Sequence, residues 1–326
     1  MSSLTQQVFL LEPQYRERVW GGQRLKAQHP PIGELWAAFD ESRVHAGPHA
    51  GQTVADLVNE HGAEFLGEDV VARFGLRFPL LVKLLDCADW LSVQVHPDDE
   101  QAERLVGAGQ YGKTEAWHFL DVEEGTSILV GVQPGTTATA LAAAIRTGRI
   151  LDIAQRFDVL AGETYLIPAG TLHALGPGLL LYEVQQASDT TYRVYDWGRP
   201  AATNRQLHLE ESVAVTNLEK TPVRTPPPDL QGTSVARAAQ CPFFVLDAMQ
   251  IAEASFTGNA ERRTLSVFTV TAGTVRLACG NETVRLGRHE TALVAGQAGA
   301  YEMQAVDGPA AVLRATLPPF ERSVRH

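Results

Sequence analysis

In Leu91-Ser-Val-Gln-Val-His96, three polar side chains alternate with two valines. On a strand of period two, Ser92, Gln94 and His96 share one face and Val93 and Val95 the other. A partly buried imidazole beside a buried amide is costly unless something satisfies both, and a metal ion does so. Glu115 follows nineteen residues after His96, at the end of a glycine-flanked loop, and a second histidine closes Pro168-Ala-Gly-Thr-Leu-His173. Gln94, His96, Glu115 and His173 make a neutral-plus-carboxylate donor set suited to zinc or another borderline divalent ion. Either histidine taken alone reads more simply as a satisfied core or surface group. Only the combination points to a metal. Upstream, Lys83 interrupts the apolar run Leu80–Leu85. A buried lysine in a strand wants an anionic partner, either a structural carboxylate or an anionic ligand.

The elements that must position these residues belong to a chain of 326 residues, long enough for one large domain or two ordinary ones. With 44% hydrophobic residues, 28 glycines and 18 prolines, a turn-rich globular protein is expected. The formal net charge of -11 argues against a general nucleic-acid or acidic-membrane surface, though a small basic pocket for an anionic metabolite remains compatible with it. Cys87, Cys241 and Cys279 are odd in number and far apart, so they form neither a disulfide framework nor a metal knuckle. The start of the sequence lacks a basic region followed by an apolar core, and no run approaches about 18 apolar residues. A soluble, cytoplasmic protein is the expectation.

Strands are predicted at Val8–Leu11, Ile32–Trp36, Trp117–Asp121, Ser127–Gly131, Tyr165–Ile167, Leu179–Gln186 and Thr191–Tyr195. Val19–Gly22 reads as a turn. Thr53 caps a helix beginning at Val54, Asp69–Phe74 extends the helical region, and Asp98–Leu105 forms a short helix with an acidic start. Thr136–Leu160 reads as two helices joined at Gly148. The four prolines of Thr221–Pro228 mark a linker or an exposed crossing. Beyond it, from Phe243 to Leu317, only β-like runs separated by turns occur, the pattern of a sandwich or jelly roll. Gly162 and Gly287 open two similar local patterns, which suggests two related barrels.

The spacing Gly162-x5-Pro168-x-Gly170-x2-His173 resembles the second motif of the cupin superfamily. The pieces GELW, PLLVKLLD, QVHPDDE, GKTE, GTLHAL and SDTTYRVYD closely resemble type I mannose-6-phosphate isomerases in their short bacterial form, over most of the first 200 residues. The resemblance implies a mainly β, double-cupin fold of two jelly-roll barrels with helical insertions in the N-terminal half. A catalytic lobe would span 1–225 and a degenerate lobe 226–326. It also implies one Zn2+ per chain, held by Gln94, His96, Glu115 and His173, with Arg193 over the active site. The substrate would be mannose 6-phosphate or fructose 6-phosphate, with no nucleic-acid or membrane partner; monomer and homodimer stay open. Aligning Gly287 on Gly162 puts Leu293 in place of Pro168 and Ala298 in place of His173, so the second lobe is expected to lack a metal. Ala37–Arg43 replaces a Ser/Thr-rich stretch usual in the family, which leaves sugar preference more open than catalytic competence.

Aldose–ketose isomerisation moves a proton between adjacent carbons and develops negative charge on an enediol oxygen. Lys113, Glu183 and Asp196 are candidates for the proton carrier, and Arg193 for the cation beside the oxygens. Ser92, Lys83 and Lys113 are candidates for phosphate recognition. An isomerase or epimerase of another sugar, or a cupin that binds sugar or metal without turnover, uses the same residue types.

Overall fold

The computed structural model describes residues 4–199 and 205–318. The chain is mainly β, with helices confined to short segments. It divides into two compact units that interleave in sequence. One takes the chain before Tyr15, Leu35–Lys83 and the chain from Pro228 onward; the other takes Tyr15–Glu34 and Leu84–Pro227. The last crossing thus falls in the proline-rich stretch, between Pro227 and Pro228.

The second unit carries the candidate chemistry. A five-stranded sheet runs in the order Tyr192–Tyr195, Val93–Val95, His173–Leu175, Ser127–Val132 and Ala154–Asp158. A seven-stranded sheet runs Val223–Thr225, Thr164–Ile167, Glu115–Val122, Leu179–Gln186, Leu80–Cys87, Gln14–Gly22 and Ile32–Ala38. The chain passes between the units within Leu80–Cys87 and Ile32–Ala38. Trp117, Phe119, Ile128, Val130, Leu175 and Leu181 belong to one buried apolar cluster that draws on strands of both sheets. Leu179–Gln186 is buried along its whole length, as expected of a strand covered on both faces.

In the first unit, the helix Val54–His61 starts with a capping box: Thr53 accepts from Asp56 N, and Asp56 accepts from Thr53 N. Two further short helices, Ala63–Leu66 and Glu68–Phe74, follow at Gly62 and Gly67. The same unit holds the sheet Val8–Leu11, Thr291–Val294, Ser266–Ala272, Ala310–Thr316, Val245–Ile251 and Ser234–Gln240. A four-stranded sheet, Phe256–Asn259, Ala300–Ala305, Val275–Cys279 and Glu282–Leu286, completes it. Ala298, aligned with His173, lies in a core cluster with Phe268, Val270, Tyr301 and Met303, and Leu293 is fully buried. That interior is apolar.

One sequence expectation fails in the alanine-rich stretch. Ala138–Arg146 is helical, but after Gly148 the chain makes only a 3-10 turn, Ile150–Asp152, and then the strand Ala154–Asp158. The left-handed turn at Gly148 ends the helix, and Gln155 Nε2 donates to the Val132 carbonyl, tying the segment to a sheet edge. Val19–Gly22 is not a turn either. It ends the nine-residue strand Gln14–Gly22, whose outward positions are polar or exposed and hid the period.

His118 sits in Glu115–Val122 on the face opposite Glu115 and Trp117, its Nδ1 2.8 Å from Thr164 Oγ1. Burial pushes its pKa down to about 4 from 6.5. The unfolded chain therefore takes up the proton first, and this group's contribution to stability falls as the pH drops from its unfolded value towards about 4. Replacing His118 by Gln should remove about 2 kcal/mol of the stability lost between about pH 7 and about pH 4.5, read from urea midpoints. An unchanged acid sensitivity would show that His118 titrates normally.

Candidate metal centre and active site

Three adjacent strands set the register of the site. Gln94 pairs with His173 on one side and with Arg193 on the other, which puts these three side chains on one face of the five-stranded sheet. Glu115 comes from the seven-stranded sheet, where it pairs with Ile167 and Gln185. Backbone bonds fix the connecting loops: Gly170 N donates to the His96 carbonyl at 2.8 Å, and Lys113 N to the Pro97 carbonyl at 2.9 Å. Gly170 has φ +85°, which a side chain would strain, and a Cβ there would press on Asn217. Thr114 Oγ1 accepts from Ala169 N at 3.2 Å, linking the Glu115 loop to the loop that carries His173.

The result is a cluster of donors out of reach of water. His96, Glu115 and His173 are 1%, 0% and 1% exposed. Their candidate ligand atoms all lie within 4.8 Å of one another, the one such group of three among the described residues. His173 Nε2 is 3.2 Å from Glu115 Oε1, and His96 Nε2 is 3.6 Å from Glu115 Oε2. Gln94 Nε2 is 3.3 Å from His173 Nε2; a half-turn of that amide, whose two ends exchange by rotation, would present its oxygen instead.

Both imidazoles are held in one tautomer. His96 Nδ1 lies 2.9 Å from the Thr190 carbonyl and His173 Nδ1 2.8 Å from the Thr171 carbonyl. A carbonyl oxygen only accepts, so each Nδ1 carries the proton and each Nε2 presents its lone pair to the cluster. Burial holds His173 neutral, with its pKa near 4. The cation nearest the Glu115 oxygens is Lys113, its Nζ 3.1 Å from Oε2. A buried carboxylate so placed, facing two imidazole lone pairs, fits a divalent cation. The donor types present suit zinc.

Around the cluster, Lys113 is 4% exposed. Burial works against its charge, but Glu115, Glu183 and Asp189 outweigh that and raise its pKa above the ordinary lysine value. Glu183, also buried, accepts from Trp117 Nε1 at 2.9 Å. Arg193 Nε donates to Ser92 Oγ at 3.2 Å, and Ser92 Oγ donates to Gln94 Oε1 at 3.4 Å. Arg193 also donates to the Gln206 carbonyl at 3.0 Å. Burial, then the nearby Arg205, lower its pKa.

Ser92, Gln94, His96, Lys113, Glu115, His173, Glu183 and Arg193 thus all belong to the second unit. Lys83 belongs to the first, on Leu80–Cys87, with Nζ 5.1 Å from the Trp36 ring centroid. Asp196 is committed elsewhere: Arg205 holds it at 2.5 and 2.8 Å and Arg199 at 3.1 Å. That pairing removes it from the proton-carrier candidates. Sequence reading missed Asp189 and the two imidazole-holding carbonyls. Backbone acceptors leave no signature in residue types.

Two imidazoles, a carboxylate and an amide on a β scaffold define a divalent-metal site of the kind used for Lewis-acid chemistry. The catalytic-domain model of type I phosphomannose isomerases matches residues 8–116. A mannose-6-phosphate isomerase of Streptococcus mutans is 34% identical over 297 residues, which is 86% of this chain and 90% of that protein. One from Bacillus subtilis is 38% identical over 232 residues, 68% of this chain and 71% of its own. Among solved structures, the Bacillus subtilis mannose 6-phosphate isomerase matches with a TM-score of 0.84 at 28% identity, over 96% of this chain and 100% of that one. A zinc-bound mannose 6-phosphate isomerase matches in fold, with a TM-score of 0.75 at 16% identity, over 97% of this chain and 100% of that one. The chain belongs to the type I phosphomannose isomerase family.

Replacing Glu115 by Gln keeps the side chain's shape and removes its charge. Zinc affinity, measured by competition with a chromophoric chelator, should fall by more than the roughly 10- to 100-fold that loss of an outer partner costs. Unchanged affinity would remove Glu115 from the ligand set.

Proposed function

We propose that the protein is a zinc-dependent aldose–ketose isomerase that interconverts mannose 6-phosphate and fructose 6-phosphate in the cytoplasm. The observation that carries this reading is the buried His96–Glu115–His173 cluster, its ligand atoms within 4.8 Å of one another, in a chain 34% identical to a mannose-6-phosphate isomerase. Among the described residues no helix is long and apolar enough to cross a membrane.

In this reading one zinc ion per chain is held by Gln94, His96, Glu115 and His173. When bound, it supplies a Lewis acid for the carbonyl and hydroxyl oxygens of the open-chain sugar. The chain's own groups do the rest. Glu183, oriented by Trp117, takes the proton from C2 of the aldose and returns it to C1, while the hydroxyl proton passes from O2 to O1. Lys113 stays charged and stabilises the negative charge that develops on the enediolate. Its raised pKa favours this electrostatic role over that of a base. Arg193, tethered by Ser92 and the Gln206 carbonyl, adds a second cation. Ser92 and Lys113, both in the second unit, recognise the phosphate.

The fold in this reading is a double cupin of two jelly-roll barrels with helical insertions in the N-terminal half. The catalytic lobe lies within residues 1–225, and Leu35–Lys83 groups with the degenerate lobe of 226–326. The apolar surroundings of Ala298 support the loss of a second metal site.

The test is turnover of mannose 6-phosphate by protein of known zinc content, beside unphosphorylated mannose. Fructose 6-phosphate should form in proportion to zinc, with little product from mannose. No turnover at full metal occupancy would contradict the assignment and direct the search to other sugars. Arg193→Ala should keep its zinc and lose about 100-fold or more in kcat. Unchanged turnover would take Arg193 out of the mechanism.

A further inference from the structure

Two consecutive side chains at the end of Leu179–Gln186 have no part in the chemistry above, yet they hold the segments that do. Gln185 and Gln186 are 0% and 3% exposed. Burying a polar group without a partner costs about 1–3 kcal/mol, so where these amides find partners matters. Gln186 Oε1 accepts from Thr114 N at 2.9 Å, and its Nε2 donates to Asp99 Oδ1 at 2.8 Å. The same Asp99 oxygen accepts from Gly112 N at 2.7 Å. Thr114 lies between Lys113 and Glu115, and Asp99 opens the helix Asp99–Leu105, three residues after His96. A carboxylate oxygen facing Nε2 and a backbone N–H facing Oε1 fix which end of the amide is which.

Gln185 works on the opposite side. Its Nε2 donates to the Ser188 carbonyl and, at 3.1 Å, to the Gln186 carbonyl. These bonds close the turn that leads to Thr190, whose carbonyl holds His96 Nδ1. The loop before Glu115, the helix start after His96 and the turn behind the His96 ring are therefore all referenced to one strand end. Gly112 leaves that arrangement no slack, because a Cβ there would overlap the Asp98 backbone.

We propose that Gln186, with Gln185 beside it, is a positioning residue that sets the placement of Glu115 and Lys113 against His96. The inference rests on the metal-site reading given above. The Gln186 amide bonds both to Thr114 N and to Asp99 and so ties the two segments together. Removing it lets the Glu115 segment move relative to the His96 segment, which weakens the shared metal site before it unfolds the sheet.

The measurement is zinc affinity of the full chain by chelator competition, with kcat and KM for mannose 6-phosphate recorded alongside. Gln186→Leu should lower zinc affinity by about 10- to 100-fold and lower kcat with KM little changed. Gln186→Glu keeps the acceptor for Thr114 N but sets a carboxylate against Asp99, and should weaken zinc binding similarly. Gln186→Met keeps the side chain's length and removes both hydrogen bonds, and should lower zinc affinity as Gln186→Leu does. A folded Gln186→Leu protein with parental zinc affinity would overturn the proposal. If Gln186→Leu does not fold, the other two variants decide: lowered zinc affinity in folded Gln186→Met or Gln186→Glu protein supports positioning, and parental affinity in both overturns it. Failure of the parent protein to bind zinc would be a different result, overturning the metal-site reading itself.

Discussion

Glu115 is a carboxylate that solvent cannot reach, and the surrounding architecture is arranged to make it tolerable. Taking a carboxylate out of water costs several kcal/mol, which is recovered only by charges or donors held in good geometry. The groups provided are one ammonium, at 3.1 Å, and two imidazoles whose facing nitrogens carry no proton. A lone pair does not compensate a negative charge. Lys113 is shared with Glu183, so the described side chains leave the site short of positive charge, and a divalent cation corrects the deficit. The same cation gives both imidazoles an acceptor for their lone pairs. The site's electrostatics call for a bound cation.

The other unit shows how a β core handles a buried carboxylate when no metal is wanted. Asp247 is 2% exposed, and Arg237 and Arg314 pair with it at 2.6 and 2.7 Å. Guanidinium groups carry their charge permanently and fork onto both oxygens, so nothing remains for an ion to do. At the position aligned with His173, Ala298 packs among apolar side chains. The two solutions differ in residue type: guanidinium and methyl groups in one unit, imidazole and ammonium in the other.

Much of the site was legible in the sequence because strands transmit their period directly. Alternation at Ser92, Gln94 and His96 put three functional groups on one face, and the glycine before His173 announced the turn that delivers it. Thr53 marked one helix start through cap chemistry and the acidic run from Asp98 marked another through charge; Asp98 proves to be a cap as well. Legibility failed where tertiary partners override local preference. The residues after Gly148 had helical composition, yet a sheet edge captured them. Asp196 looked like a carboxylate available for proton transfer until folding brought Arg199 and Arg205 onto it. The carbonyls of Thr171 and Thr190, which decide the tautomers, belong to the backbone and have no expression in residue identity.

The most direct test of this account is X-ray absorption at the zinc edge on the loaded full-length protein. A site of His96, His173, Glu115 and Gln94 predicts a first shell of nitrogen and oxygen only, at about 2.0–2.2 Å, with the outer scattering of two imidazoles. Sulfur in the first shell at about 2.3 Å, or a shell without imidazole scattering, would place the metal elsewhere and contradict it.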